Sequence, residues 1–147
     1  MKSFCDEKDA SILAALERDG RLSYRALGRA VGLSTPAAAE RVRRLTASGA
    51  IRGFGARIDR AAAGRPVTAY LSLTCPAERG RAAIAAAEQA PEILECHRIA
   101  GAESLLLKAA VADLAALDRL VERFRLIAPT RVTVVLSTQF EEGEDGG

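Results

Sequence analysis

The sequence predicts an α+β chain in two parts, a helical N-terminal part and a C-terminal part with a βαββαβ element order. Two patterns support this. Apolar residues recur every three to four positions over the first fifty residues, and beyond residue 66 period-two runs alternate with amphipathic stretches. Charge divides at the same place. Residues 1–60 carry 12 Lys/Arg against 7 Asp/Glu, a net of +5, whereas residues 61–147 carry 9 against 12, a net of −3. Halves of opposite sign point to halves with different tasks.

At 147 residues, with 49% hydrophobic and 27% charged residues, the chain is too apolar and too mixed to be disordered throughout. A part near 60 residues buries only about 60% of its unfolded surface and is marginal alone, so two small domains call for a partner. With no Trp and 4% aromatics, the cores must be aliphatic, and recognition by ring stacking is disfavoured. Cys5, Cys75 and Cys96 match neither a disulfide framework nor the close pairs of a zinc site, and they read as buried thiols in a reducing compartment. No metal, cofactor or catalytic residue is expected. The N-terminus lacks a basic segment followed by an apolar run, and no stretch approaches the roughly 18 apolar residues of a membrane span. The expectation is a cytoplasmic protein without a membrane partner.

Taken in order, Asp6 can cap a first helix with Ile12, Leu13 and Leu16 on one face and Gly20 at its end. Ser23 caps a short second helix carrying Leu27, Ala30 and Val31. Gly32 supplies a positive-φ turn, Leu33 plugs the core, and Ser34 precedes Thr35-Pro36 at the start of a third helix. Along that helix Ala38, Val42 and Leu45 repeat at four and three, leaving Ala37, Glu40, Arg41, Arg43 and Arg44 around its outer surfaces. Gly49 closes it, and 51–59 reads as a strand.

Two helices joined by a tight Gly turn form the helix-turn-helix arrangement that sets a recognition helix in the DNA major groove. Ten arginines lie between Arg18 and Arg60, opposed there only by Asp19, Glu40 and Asp59, which suits a polyanion. Small residues let the third helix approach base edges, hydroxyls suit phosphates, and arginines neutralise backbone charge or fork onto guanine. The candidate DNA-binding set is Arg21, Ser23, Tyr24, Arg25, Ser34, Thr35, Ala37, Ala38, Arg41, Arg43 and Arg44. Within it Tyr24, Arg25, Arg43 and Arg21 are assigned to phosphates, and Thr35, Ala37, Ala38, Arg41 and Arg44 to bases.

In the second part, Val67, Ala69, Leu71 and Leu73 alternate with polar residues, an Ala-rich helix runs from about Ala77 to Gln89, and Pro91 ends it. Strands follow over 93–100 and 104–111, with Gly101 between them. Leu114, Leu117, Val121 and Phe124 mark a second helix, and Val132, Val134 and Leu136 a last strand. This is a ferredoxin-like unit with both helices on one sheet face. The opposite face would carry Tyr70, Leu106 and Val135 and needs a cover, for which self-association is the leading explanation. The expected division is 1–58 for DNA binding, 59–66 as linker, 67–140 for assembly and sensing, and 141–147 as an acidic, disordered tail. His97, the sole histidine, has Glu95 two residues away and reads as a hydrogen-bonded strand residue.

The run DEKDASILAALERDGRLSYRALGRAV followed by GLSTPAAAERVRRLTASGAIRGFGARID resembles the N-terminal domain of the Lrp/AsnC, or feast/famine, transcription regulators. ECHRIAGAESLLLKAAV resembles the central stretch of that family's ligand-sensing domain. The resemblance implies a winged helix-turn-helix joined to a RAM-type ferredoxin-like domain, a sheet-to-sheet homodimer that can assemble further into tetramers or octamers, and a roughly palindromic double-stranded DNA operator. It also implies an amino-acid or other small-metabolite effector at the turn Gly101, Ala102, Glu103 and Ser104, with Thr138 from the last strand. Here the sequence departs from the pattern. Many members have an acidic residue directly after the glycine and another two positions later, where this chain has Ala102 and Ser104. Two alternatives stand beside this reading. One is an iron-tetrapyrrole decarboxylase of similar architecture, for which His97 and Arg98 would be the reactive candidates. The other is a metabolite-binding module that no longer reads DNA.

Overall fold

The computed structural model describes residues 5–141. The expected acidic tail from 142 onward lies outside the described residues. The chain divides into two compact units, Met1–Arg57 with Phe140–Gly147, and Ile58–Gln139.

The first unit contains α1 (Glu7–Arg18), α2 (Tyr24–Val31) and α3 (Thr35–Ala47). Each helix starts where a side chain satisfies its orphan amides. Asp6 accepts from the Asp9 amide while Asp9 accepts from the Asp6 amide, a reciprocal capping box. Ser23 accepts from the Ala26 amide and Ser34 from the Ala37 amide. Gly32, at φ 69°, ends α2 in the left-handed region, and the Lys8 ammonium donates to the Val31 carbonyl at 2.6 Å, a favourable charge at a helix C-terminus. Ile12, Leu27, Val31, Ala38, Val42, Leu45 and Ile51 form an aliphatic core.

Gly28 makes the tight turn possible. The Leu33 amide donates to the Gly28 carbonyl at 2.8 Å, and a Cβ on Gly28 would stand 2.6 Å from the Leu33 carbonyl oxygen, so the chain can pass only where no side chain exists.

The strand expected over 51–59 is not formed. After Ile51 the backbone makes no ladder among the described residues, because a lone extended segment has no neighbour to take its amides and carbonyls. Gly53 and Gly55 further weaken it. The expected wing is therefore absent from the described residues. Within the segment 59–66 expected as the linker, the backbone is held by its own hydrogen bonds. The Asp59 carboxylate accepts from the Ala61 and Ala62 amides, and the Ala63 and Arg65 amides donate back to the carbonyls of Asp59 and Arg60.

The second unit comprises β1 (Val67–Leu73), α4 (Ala77–Glu88), β2 (Ile93–Arg98), β3 (Leu105–Val111), α5 (Leu114–Arg125) and β4 (Thr130–Val134). The strands form one antiparallel sheet in the order β2-β3-β1-β4, the ferredoxin-like topology. Ala69, Leu71 and Leu73 from β1 pack with Leu105, Leu107 and Ala109 from β3 beneath Ala83 and Ala87 of α4 and Leu117, Leu120, Val121 and Phe124 of α5. The last strand ends at Val134 rather than continuing through Leu136. Val135 donates its amide to the Thr68 carbonyl, the pairing goes no further although β1 begins at Val67, and Leu136 is left 97% exposed.

The second sheet face is less apolar than expected. Tyr70, Leu106 and Val135 are half-buried there, but Leu106 lies opposite His97 and Tyr70 opposite Lys108 and Thr133. Of the three cysteines only Cys75 is buried, since Cys96 lies on an edge strand and is exposed. No helix among the described residues is long and apolar enough to cross a membrane.

Gly28→Ala is expected to cost about 1 to 3 kcal/mol through overpacking at the turn, seen as an earlier urea transition of the helical unit. An unchanged midpoint would show that the turn has room to move.

Candidate functional site

The outer face of α3 is formed by Pro36, Glu40, Arg43, Arg44 and Ala47, all exposed. The phase follows from Ala38, Val42 and Leu45 turning inward to the core. Ser34, Thr35 and Pro36 stand exposed at the helix N-terminus, and Ala37 is half-buried. Arg21, Tyr24 and Arg25 are exposed around the start of α2, with Tyr24 49% accessible. The hydroxyls of Ser23 and Ser34 accept helix amides, which leaves each O–H able to donate to a phosphate.

Two members of the predicted set lie elsewhere. Ala38 is fully buried and cannot touch a base, because it supplies the first inward position of the α3 stripe. Arg41 does not lie on the outer surface either. Its Nη1 donates to Asp6 at 2.7 Å and to Asp9 Oδ1 at 2.8 Å, and its side chain is 24% exposed. Burial of the Asp9 side chain, 2% exposed, draws the guanidinium inward, since a carboxylate removed from water requires a charge-assisted partner.

Asp9 is the residue that the periodicity does not reveal. It completes the α1 capping box, binds Arg41, and lies 3.4 Å from the Arg44 guanidinium, so one carboxylate ties the start of α1 to two successive turns of α3. Its place at N3 behind an Asp N-cap is a legible capping signal. The Arg41 hydrogen bonds hold the Asp6 carboxyl below its ordinary 3.8 and push the Arg41 guanidinium up.

Arg44 remains 54% exposed despite its contact with Asp9. Arg43 forms a two-pronged pair with Glu40, at 2.9 and 2.6 Å, and this hydrogen bond holds the Glu40 carboxyl below its usual range. Both side chains are more than half exposed, so the pair opens at little cost.

In the second unit, the turn from Gly101 to Ser104 carries the expected effector residues except Thr138. Gly101, at φ 145°, has a backbone that other residues rarely adopt. The Ser104 hydroxyl donates to the Cys75 carbonyl and accepts from the Cys75 amide. Glu103 pairs with Arg131 of β4. A cavity of about 600 Å³ lies between this turn and the start of α4, and Gly101, Glu103 and Ser104 line it while Ala102 and Thr138 do not. On the open sheet face His97 Nε2 lies 3.0 Å from Glu95, whose carboxyl is held low by that hydrogen bond first and by the nearby Lys108 charge.

Comparison with known proteins agrees with this architecture. The AsnC-type helix-turn-helix domain matches residues 6–46 and the Lrp/AsnC ligand binding domain matches residues 68–144. The HTH-type transcriptional regulator LrpA of Mycobacterium tuberculosis is 34% identical over 146 residues, 97% of both chains. LrpC of Bacillus subtilis is 34% identical over 135 residues, 90% of this chain and 92% of that one. The solved structure of B. subtilis LrpC superposes with a TM-score of 0.87 over 95% of this chain and all of that one, at 32% identity. The feast or famine regulatory protein of M. tuberculosis complexed with L-methionine superposes at 0.85, with 35% identity over 93% and 95% of the two chains. Two domains of these types in this order define a helix-turn-helix transcriptional regulator that binds DNA. The chain belongs to the Lrp/AsnC family.

Two outcomes follow from the Asp9 cluster. Asp9→Asn should cost about 3 kcal/mol, the lower end of the range for breaking a buried pair, since Arg41 keeps some contact with water; equilibrium urea unfolding measures it. Because the folded Asp6 carboxyl titrates below 3.8, its contribution is complete above that value and lost as pH falls through the lower folded one. Unfolding midpoints recorded between about pH 5 and pH 2 should fall on acidification, and Asp6→Asn should flatten that limb.

Proposed function

We propose that the protein is a cytoplasmic, homodimeric regulator that reads a roughly palindromic operator through paired α3 helices and answers to a small metabolite at the 101–104 turn. The observation that carries the DNA reading is the outer face of α3, where Arg43 and Arg44 project beside an N-terminus of small and hydroxyl-bearing residues. Arg21, Ser23, Tyr24, Arg25 and Ser34 hold phosphates. Thr35, Ala37, Arg43 and Arg44 meet base edges, and Glu40, released from Arg43, is suited to accept from a cytosine amino group. Arg41 acts from within the fold, holding α3 against α1.

Self-association is supported by the half-buried Tyr70, Leu106 and Val135 on the sheet face that no helix covers. A two-fold dimer sets its recognition helices one DNA turn apart, about 34 to 36 Å, or a multiple of it. The effector reading is supported by the cavity at the turn and by a relative whose structure holds L-methionine. The proposal contains no catalytic step. His97 is committed to Glu95 on an exposed sheet face, and Arg98 has no second histidine to work with.

Fluorescence anisotropy on the chain's own upstream DNA tests the reading. The logarithm of the binding constant should fall with the logarithm of salt by about 0.9 per phosphate neutralised, and Arg25→Ala should reduce that slope by about one. Arg44→Ala should cost about 1 to 3 kcal/mol at one base position and leave the urea midpoint unchanged, whereas Arg41→Ala should lower the midpoint too. Leu106→Glu should shift light-scattering mass from dimer to monomer. A monomeric wild type that ignores its own upstream DNA at low salt would overturn the reading.

A further inference from the structure

The cavity beside the 101–104 turn has a charge pattern that selects among small metabolites. Its floor is apolar, with Ile84 of α4, Ile99 after β2 and Leu105 of β3, and its volume lies within the range of small-molecule sites. Two guanidinium side chains line it, Arg81 from α4 and Arg98 from the end of β2. Neither makes a hydrogen bond or ion pair with a described residue, in contrast to Arg79, which donates to the Ile127 carbonyl, and Arg131, which holds Glu103.

The acceptors are mostly spent. Glu103 is neutralised by Arg131, and the Ser104 hydroxyl both donates to and accepts from the Cys75 backbone. Glu78 is the remaining carboxylate on the wall, and it belongs to the first turn of α4, where the helix dipole already offsets its charge. The lining therefore offers two unpaired cations against one anion. A zwitterion gains from the arginines through its carboxylate but gives back part of that gain through its ammonium group, which would have to displace Arg131 from Glu103 or stand close to Arg81 and Arg98 to reach Glu78. A small organic anion gains from both arginines, and its aliphatic body covers the apolar floor.

We propose that this cavity binds a small organic anion, a carboxylate on a short branched aliphatic body without an α-ammonium group, in preference to the corresponding amino acid. This rests on the reading of the 101–104 turn as an effector site and names its ligand class. Arg98 and Arg81 hold the carboxylate, while Ile84, Ile99 and Leu105 take the hydrocarbon.

Isothermal titration of the full chain with 4-methylpentanoate and with L-leucine tests it, because the two share one skeleton and differ by the ammonium group. The expected result is binding of 4-methylpentanoate about tenfold tighter than L-leucine, or more. That binding should weaken as salt is raised and drop about tenfold in Arg81→Ala/Arg98→Ala. Both side chains are exposed, so the thermal melt should stay unchanged. The salt dependence on the wild type needs no variant and stands even if the double substitution disturbs folding. The inference is overturned if L-leucine binds as tightly or more tightly, above all if Glu78→Gln abolishes it, if neither probe binds, or if the double substitution leaves 4-methylpentanoate affinity intact. Anisotropy on the same preparation separates the two readings. Salt-sensitive DNA binding with no bound probe removes the ligand alone, L-leucine at this cavity keeps an effector site while removing the anion preference, and a bound carboxylate without DNA binding keeps the site while removing the regulator.

Discussion

One buried carboxylate organises the helical unit. Asp9 stands at the third position of α1, where it completes a cap, and it faces α3, where it meets Arg41 and Arg44. Without a cation, desolvating that charge would cost several kcal/mol. With Arg41 in contact, the cost becomes a geometric demand that α1 and α3 sit at one distance and one rotation. An aliphatic core of seven residues without a ring would permit sliding between helices. The charged contact removes that freedom, so the outward direction of Arg43 and Arg44 follows from a group that itself never reaches the surface.

Local chemistry made most of the helical unit legible. Ser23, Gly32 and Ser34 act through neighbours three or four residues away, and each performs the expected task. The failures at Arg41 and over 51–59 have a common origin in partners distant along the chain. Ala38 belongs to the inward stripe that the three-to-four spacing marks, so the same spacing that buries it rules out its base contact, whereas Arg41 borders that stripe, and spacing cannot say whether the core takes a border residue. Arg41 is settled by Asp6 and Asp9, 35 and 32 residues earlier. The 51–59 segment has strand composition, but no strand among the described residues lies beside it, and composition alone cannot supply one.

The sheet unit follows the same division. Alternation placed the β1 residues on their correct faces, because a strand covered on one side must obey a period of two. What alternation does not contain is the irregularity in β2, where the register shifts between Ile93 and Glu95 and sets Glu95 and His97 opposite Lys108 and Leu106. The candidate effector turn is legible from its glycine and from the resemblance of the surrounding stretch to a known family. Its chemistry was decided elsewhere, by Arg131, which is 28 residues away from Glu103, and by the Cys75 backbone, which occupies Ser104.

The aromatic poverty of the chain has a practical consequence. Trp is absent and there are two tyrosines, one in each unit. Tyr24 stands exposed at the first turn of α2, and Tyr70 lies half-buried on the uncovered sheet face. With no indole to drain their excitation, the phenols emit as built-in probes, one beside the proposed nucleic-acid face and one on the sheet face proposed for self-association. Replacing either ring by phenylalanine would isolate the optical signal of the other.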